Sequence, residues 1–347
     1  MKKKLAFTTD LPTCTYVYHA VIMGIICTQF EKYAPWFYSH FIQIFTGTSC
    51  GPFGFFDMVF KNYPFIEYQS IKNNTLLMMN ANPKEFIKNA LDEGWYVYTE
   101  IDEYYLSNKP AFNNYSFEHF NLIFGYDEEE QLYNIAGYLQ SKNAVSSFSE
   151  SKVKMEEVEK AFINAPKQET FLLKLNNFRT KFDYNLVVES LYDYVYSQNT
   201  SSRVRALEEF GKTKRTYGIK TMELLNIRLK EIIETGYDNR YHFDLRIFRL
   251  LWEHKKIMYD RFVYMNEIQA AKISEAILCD YKEVVDGYKV LFALAKKVYI
   301  TKETDSMPKM IEKIENLITK EKEVLESVLT LFISNDNVEN NFNLKIL

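Results

Sequence analysis

Residues 117–138 read FEHFNLIFGYDEEEQLYNIAGY, and this stretch decides how the first half of the chain folds. Two runs rich in aromatic and β-branched residues, 117–125 and 131–138, flank the acidic segment 127–129, which is the pattern of a β-hairpin. The run WYVYTEI at 95–101 has the same strand-forming composition. The sequence therefore predicts a group of strands in this part of the chain.

The residues ahead of these strands are predicted to be helical. From Cys14 to Tyr33 there is no proline, and apolar residues recur at helical spacing, which predicts one long helix that Pro35 ends. Thr13 is a suitable N-cap, so Cys14 would lie on the first helical turn. A further helix is predicted to begin at Pro83. Helices followed by strands indicate an α+β fold.

The second half of the chain has a different pattern. Serine and lysine cluster over residues 141–154, and helical patterns dominate beyond them. The predicted helices are 155–164, 185–196, 206–209, 217–234, 243–265, 268–295 and 308–332. Because 347 residues exceed what one core usually serves, we predict two domains, an α+β domain over 1–150 and an all-helical domain over 151–347.

Composition argues against several functional classes. The chain has 11 glycines and neither GxGxxG nor GxxxxGK[ST], which argues against a phosphate-binding loop. A net charge of −4 argues against general nucleic-acid binding. The apolar segment 16–27 is too short to span a bilayer, and no apolar signal region follows Lys4. We expect a cytoplasmic protein without nucleic-acid or membrane partners.

The four cysteines are the first candidates for chemistry. They are widely spaced and form no CxxC motif, which argues against a disulfide framework or a structural metal site, and no cofactor is predicted. Cys14 would face the unpaired N–H groups and positive dipole of a helix N-terminus, both of which favour the thiolate. Cys27 and Cys279 lie within predicted helices and are interpreted as packing residues. Cys50, in a loop, is the alternative nucleophile.

His119 is the candidate base. It stands at the start of a predicted strand, where a histidine can equally be a solvent-exposed edge residue. A base on a strand that faces a thiol at a helix N-terminus is the arrangement that cysteine catalysis uses. The two residues of such a pair are expected far apart in sequence. The sequence therefore predicts Cys14 and His119 as the reactive pair.

Several short motifs together resemble a known family. They are Cys14 before a helix, EIDEYYL at 100–106, FEHF at 117–120 and FGYD at 124–127. The chain is similar to the papain-like fold of bacteriocin-leader peptidases, in the branch that contains the butirosin-biosynthesis acyltransferase. Its second half resembles partners of this branch through YG at 217–218 and LLWEHKK at 250–256. Amide-forming enzymes of closthioamide-type thioamide assembly are the nearest comparison within the branch.

The resemblance implies acyl transfer in nonribosomal natural-product biosynthesis. Cys14 would attack a phosphopantetheine thioester on an acyl or peptidyl carrier protein and become acylated. His119 would take the thiol proton and later activate a small amine, so that an amide forms. Two alternatives stay open: hydrolysis by the same pair, as a peptidase or thioesterase, and a non-catalytic binding or self-resistance protein.

The group that orients the imidazole stays open in the sequence. With a turn at 127–129, residue 137 lies opposite His119; the family usually has Asp there, and this chain has Gly137. Asn134 can orient an imidazole if a bulge re-aims its side chain. Gln140 is a further possibility. A dyad, a group from elsewhere in the chain and an inactive site are the other options.

Substrate-binding residues are expected around the same cleft. Asp102 follows a strand end with Glu103, where carboxylates can bind an amine or simply face solvent. Tyr104 and Trp36 are the aromatic candidates. A basic cluster could dock an acidic carrier protein or balance nearby carboxylates; its members are Arg240, Arg246, Arg249, Lys255 and Lys256.

Overall fold

The computed structural model describes six stretches of the chain, which are residues 1–47, 50–56, 58–139, 147–203, 215–237 and 243–333. The chain forms two compact units. The first unit comprises Met1–Tyr33 and Val59–Thr180, and the second comprises Ala34–Met58 and Lys181–Leu347.

The helices and strands of the described residues are numbered along the chain. The strands are β1 (Lys2–Lys4), β2 (Ile44–Gly47), β3 (Gly54–Phe55), β4 (Ile66–Lys72), β5 (Tyr96–Asp102), β6 (Glu118–Asp127), β7 (Leu132–Leu139), β8 (Ser147–Lys154), β9 (Glu169–Leu175) and β10 (Arg215–Tyr217). The helices are α1 (Val17–Ile26), α2 (Phe30–Ser39), α3 (Asn73–Met78), α4 (Pro83–Asp92), α5 (Met155–Ile163), α6 (Tyr184–Val195), α7 (Lys220–Thr235), α8 (Leu245–Glu267), α9 (Glu275–Thr301) and α10 (Met307–Ile333).

The first unit is built on an antiparallel sheet. Its strand order is β4-β9-β5-β6-β7-β8, and β1 pairs with the C-terminal end of β6. One face of the sheet is buried against α4 and α5, through a cluster that includes Val97, Ile101, Ile123, Ile135, Ile87, Val158 and Phe162. Helices together with an antiparallel sheet confirm the α+β class.

The first unit extends beyond the predicted boundary at residue 150. Three elements that follow or span that position, β8, α5 and β9, complete the sheet and its helical cover. In β8 most side chains are polar and only Phe148 and Val153 are buried, because it is an edge strand. Part of the serine and lysine cluster noted over residues 141–154 is therefore this edge strand.

The hairpin of β6 and β7 is present, but its register differs from the predicted one. Asp127 pairs with Leu132, and a bulge between Ile123 and Gly125 shifts the ladder further along. Leu122 then pairs with Ala136. Continuing this register places residue 137 opposite residue 121, not opposite residue 119.

The long helix predicted from Cys14 to Tyr33 is interrupted. Helix α1 begins at Val17 behind the N-cap Tyr16, so Thr13 is not its cap and Cys14 precedes the helix. A 3₁₀ turn, Cys27–Gln29, separates α1 from α2. Pro35 lies inside α2 instead of ending it. A proline removes one backbone hydrogen bond from a helix, and here the helix continues beyond that position.

Helix α1 lies close to the N-terminal segment. A Cβ at Gly24 would lie 2.3 Å from the ring of Phe7, so only glycine permits this approach. Phe7 in turn stacks on Phe124 of β6, with ring centroids 4.8 Å apart. These contacts place α1 on the sheet face opposite α4 and α5.

The second unit is mainly helical and contains α6 to α10. It also holds a three-stranded sheet of order β10-β2-β3, so the prediction of an all-helical second domain is wrong. Two of its strands, β2 and β3, come from the segment Ala34–Met58, which the sequence assigned to the first domain, and the third, β10, was not predicted. Within the described residues, none of the helices is both long and apolar enough to cross a membrane.

Buried cations organise the core of the second unit. The guanidinium of Arg261 donates to the carbonyl of Tyr38 at 2.7 Å and to that of Phe41 at 3.3 Å, at the C-terminal end of α2. A cation is favourable there because helix carbonyls lack partners at that end. Lys255 is fully buried and pairs with Glu321 at 2.9 Å. Nε2 of His254 hydrogen bonds to the carbonyl of Ile42 at 2.7 Å.

His254 should make stability depend on pH. Burial, and then the nearby charge of Lys255, lower the pKa of His254 well below its ordinary 6.5. Below about pH 6.5 the unfolded chain therefore binds a proton at this residue that the folded chain does not. The contribution of neutral His254 to the free energy of unfolding is fully present above that pH and is lost as the pH decreases below it. The His254→Gln variant keeps a donor for Ile42 and removes this proton. We expect its urea midpoint to fall less than that of the wild type between pH 7.5 and 5; equal slopes would contradict the assignment.

Candidate functional site

The end of β5 forms the base of the candidate site. Asp102 closes the strand, and its Oδ1 accepts a hydrogen bond from the backbone N–H of Tyr104 at 3.0 Å, which caps the 3₁₀ turn Glu103–Tyr105. Aspartate is favoured at such a cap because its short side chain reaches the N–H two residues ahead. This turn directs the Glu103 carboxylate into the unit, where its side chain is only 5% exposed.

One oxygen of Glu103 collects three donors. Oε1 accepts from Nζ of Lys109 at 2.9 Å, from Nδ2 of Asn121 at 3.1 Å and from Nδ1 of His119 at 3.2 Å. Lys109 is fully buried. His119 and Asn121 are two residues apart on β6, so their side chains lie on the same face of the sheet. The sequence had named Glu103 only as a possible amine ligand, so its contact with the imidazole was missed.

The charge of this cluster is set by competing effects. Burial by itself raises the pKa of Glu103, but the hydrogen bond from His119 and the charge of Lys109 together hold it below its ordinary value. Burial lowers the pKa of Lys109, and the charge of Glu103 opposes that change. We assign an ionised carboxylate, because all three of its partners are donors.

His119 is held by one nitrogen only. Since Glu103 is an acceptor, the imidazole proton is assigned to Nδ1, which leaves the lone pair on Nε2. Nε2 makes no hydrogen bond to any described residue, and the side chain is 27% exposed. The ring of Phe117 stacks on the imidazole at 5.2 Å, and Phe117 and Tyr115 are exposed beside it.

Cys14 lies at the same end of the sheet. It is partly exposed and stands between the buried residues Thr13 and Thr15. The hydroxyl of Tyr138, near the end of β7, donates to the backbone carbonyl of Cys14. Because Cys14 precedes α1, it does not occupy the first helical turn that the sequence predicted.

The structure does not join Cys14 and His119 by a hydrogen bond. His119 shares its sheet face with Asn121 and Gly137, whereas alternation puts Tyr138, which binds the Cys14 carbonyl, on the other face. The two are nevertheless linked by a chain of bonds. Lys109 donates to the backbone carbonyl of Tyr138 at 3.1 Å and to Glu103, which holds the imidazole.

The other cysteines are in different settings. Burial, followed by the charge of Asp10, raises the pKa of the Cys27 thiol to about 12. Burial is also the main cause that raises the pKa of Cys50 to about 11. Both thiols are therefore protonated at neutral pH. Cys279 is exposed on α9 of the second unit, so its interpretation as a packing residue is wrong.

Asn134, the candidate on β7, does not orient the imidazole. Asn134 pairs with Gly125, which lies about 20 Å along β6 from His119 at roughly 3.3 Å per residue. Position 137 has no room for a side chain. A Cβ there would lie 2.7 Å from Oδ1 of Asn121 and 2.8 Å from Nζ of Lys109. Gln140 lies outside the described residues.

Three residues expected to bind substrate have other contacts. Asp102 is buried, and its carboxylate accepts from the N–H of Phe117 and the hydroxyl of Ser116, so it is a loop cap and not an open amine site. Tyr104 is partly exposed in the same turn and packs edge-on against Tyr105. Trp36 is a buried residue of the second unit.

The basic cluster is largely neutralised within the second unit. Arg246 pairs with Asp244 at 2.8 Å, and Arg249 pairs with Glu253 at 3.1 Å. Lys255 is buried. Arg240 lies outside the described residues. The clustering in sequence therefore does not produce a basic surface among the described residues, apart from Lys256.

Comparisons with known proteins assign no relative. No protein-family model matches the chain, and no curated protein matches it with significance. Within the described parts of the chain, no group of three or more His, Cys, Asp or Glu side chains is arranged to hold a metal ion.

Gly137→Ala should be destabilising. Its Cβ would meet Nζ of Lys109 and Oδ1 of Asn121, and both side chains bond to Glu103, so a shift of either disturbs those hydrogen bonds. Overpacking of this kind costs about 1–3 kcal/mol, which we expect in urea unfolding. Gly47→Ala is the control, because a Cβ at Gly47 meets nothing within 4 Å. Equal effects of the two substitutions would show that the space around Gly137 is not filled as described.

The four thiols should differ in reactivity. At pH 7.5 we expect iodoacetamide to label Cys14 and Cys279, while Cys27 and Cys50 react at least ~10-fold more slowly because burial raises the pKa of both thiols. Peptide mass spectrometry of the native chain measures this order. Labelling of Cys27 or Cys50 before Cys14 would contradict it, and labelling after denaturation checks that all four thiols can react.

Proposed function

We propose that the first unit is a papain-like, cysteine-dependent acyltransferase that forms amides in nonribosomal natural-product biosynthesis. The observation that carries this proposal is the state of His119. A buried carboxylate holds its Nδ1, and Nε2 keeps a lone pair at a partly exposed site, at the end of the sheet where Cys14 is anchored. This is how a general base for a thiol is prepared.

The reaction proceeds in two balanced steps. In the first, His119 takes the proton of Cys14, the sulfur attacks the thioester carbonyl, and the carrier's thiol leaves with that proton. In the second, an amine attacks the acyl-enzyme while His119 accepts its proton. The carbon–sulfur bond to Cys14 breaks, the thiol is regenerated and an amide is released. No cofactor takes part in this scheme.

Catalysis requires the imidazole to reach the thiol when substrate binds. His119 is the second residue of β6, so its ring lies at the end of the sheet and not in its interior. Catalytic hydrogen bonds are often long or unformed in unliganded enzymes and tighten in the substrate complex. The exposed rings of Tyr115 and Phe117 offer apolar surface beside the imidazole for the acyl group or the amine.

The donor and the acceptor in this proposal are those that the family resemblance implies. The acyl donor is a phosphopantetheine thioester on an acyl or peptidyl carrier protein, and the acceptor is a small amine. We place the reaction in the cytoplasm, because all four cysteines are free thiols and thiols persist in that compartment.

A second candidate is a non-catalytic binding or self-resistance protein. It is favoured by the separation of Cys14 from His119, which approach the end of the hairpin from opposite faces. In this case the aromatic surface around His119 would bind a small molecule without turnover.

Intact-mass measurement separates these functions. The probe is an acyl-pantetheine thioester, incubated with the full chain. We expect wild type and the control Cys279→Ala to gain one acyl group and Cys14→Ala to gain none, and an added amine to be released as the amide. Acylation of Cys14→Ala at the wild-type level would exclude Cys14 as the nucleophile. Release of free acid despite excess amine would show a hydrolase, and binding without acylation a non-catalytic protein.

A further inference from the structure

Lys109 is the least expected group near His119. Its side chain is fully buried, and its Nζ contacts Oε1 of Glu103 at 2.9 Å and the carbonyl of Tyr138 at 3.1 Å. A buried ammonium is costly unless an opposite charge and acceptor atoms surround it. Both conditions are met here only while Glu103 is ionised.

The oxygen that binds this ammonium also binds the imidazole. Lys109, Asn121 and His119 all donate to Oε1 of Glu103. An ionised carboxylate only accepts, whereas a protonated carboxyl would present an O–H to one of these donors. The charge on Lys109 therefore favours the form of Glu103 that accepts from Nδ1.

We propose that Lys109 is a positioning residue for His119: acting through Glu103, it keeps the imidazole proton on Nδ1 and leaves Nε2 as the basic nitrogen. This inference rests on the proposed function, in which His119 is the general base. Lys109 itself touches no reacting atom.

Gly137 supports this assignment independently. The ammonium lies 2.8 Å from the place that a Cβ at Gly137 would take. The space of a side chain on β7 is thus filled by Lys109 from the loop after β5. A side chain at position 137 is therefore excluded by the same ammonium that pairs with Glu103.

Removing the ammonium takes away the charge that offsets ionised Glu103, and two other charge states then compete with the wild-type one. In one, Glu103 binds a proton and donates it to Nδ1, which moves the imidazole proton to Nε2. In the other, the imidazole carries both protons beside an unpaired carboxylate. Neither state has the lone pair on Nε2 that a base needs, and a purely structural role of Lys109 would change neither nitrogen.

The test is ¹⁵N NMR of the histidine ring nitrogens in the full chain at neutral pH, with His119→Gln to assign the signals. We expect wild type to show the Nδ1–H form as its main species and Lys109→Met to lose it. Lys109→Arg retains the charge and should restore the wild-type pattern. Lys152→Met is the matched control, since Lys152 is an exposed residue of β8 paired with Glu130. It should change nothing.

A second variant keeps the test decisive if Lys109→Met does not fold. Lys109→Met/Glu103→Gln removes both charges, which a buried pair tolerates better than loss of one partner. We expect a mixture of the two tautomers, because an amide can accept from Nδ1–H or donate to Nδ1. A folded variant without Lys109 that keeps the Nδ1–H form of wild type overturns the inference.

The kinetic readout is separate from the spectroscopic one. Acyl-enzyme formation should be about 10²–10⁴-fold slower in Lys109→Met and unchanged in Lys152→Met. If wild type is never acylated, the proposed function fails, while the tautomer measurement still decides whether Lys109 positions His119.

Discussion

The arrangement around the candidate site depends on a single buried oxygen, Oε1 of Glu103. It binds the 3₁₀ turn after β5 to the loop through Lys109 and to β6 through Asn121 and His119. Because a buried carboxylate must be matched by donors, each of these segments is fixed relative to the others. The missing side chain at position 137 is a consequence, since the ammonium that matches Glu103 fills its space.

His119 and Cys14, which the sequence had treated as one pair, are held by different residues. Nδ1 of His119 is held by Glu103, which also pairs with Lys109, on one face of the sheet. The backbone carbonyl of Cys14 accepts a hydrogen bond from Tyr138 on the other face. Lys109 connects them, because it donates to the carbonyl of Tyr138 as well as to Glu103. A chemical role for the pair therefore depends on how substrate brings thiol and imidazole together at the end of the hairpin.

Prediction from sequence was good for elements with a strong local signal and poor where pairing decided the outcome. Helix α4 starts at Pro83 as predicted, and Asn82 caps it through the N–H groups of Lys84 and Glu85. Strands β5, β6 and β7 were also found, because aromatic and β-branched residues alternate there. Strands β8 and β9 were missed. The polar edge strand β8 has no local signature, and a strand acquires its identity from its neighbours.

Sequence by itself determined the α+β class, the hairpin and the main helices of the second half. These follow from periodicity, capping and residue chemistry, which are local properties. Only the tertiary structure decided the register of β6 against β7, the division of the chain between the two units, and the partner of the imidazole. A bulge between Ile123 and Gly125 shifts the ladder, and a turn after Asp102 aims Glu103 at His119. Both depend on contacts between residues far apart in the chain, which local pattern does not encode.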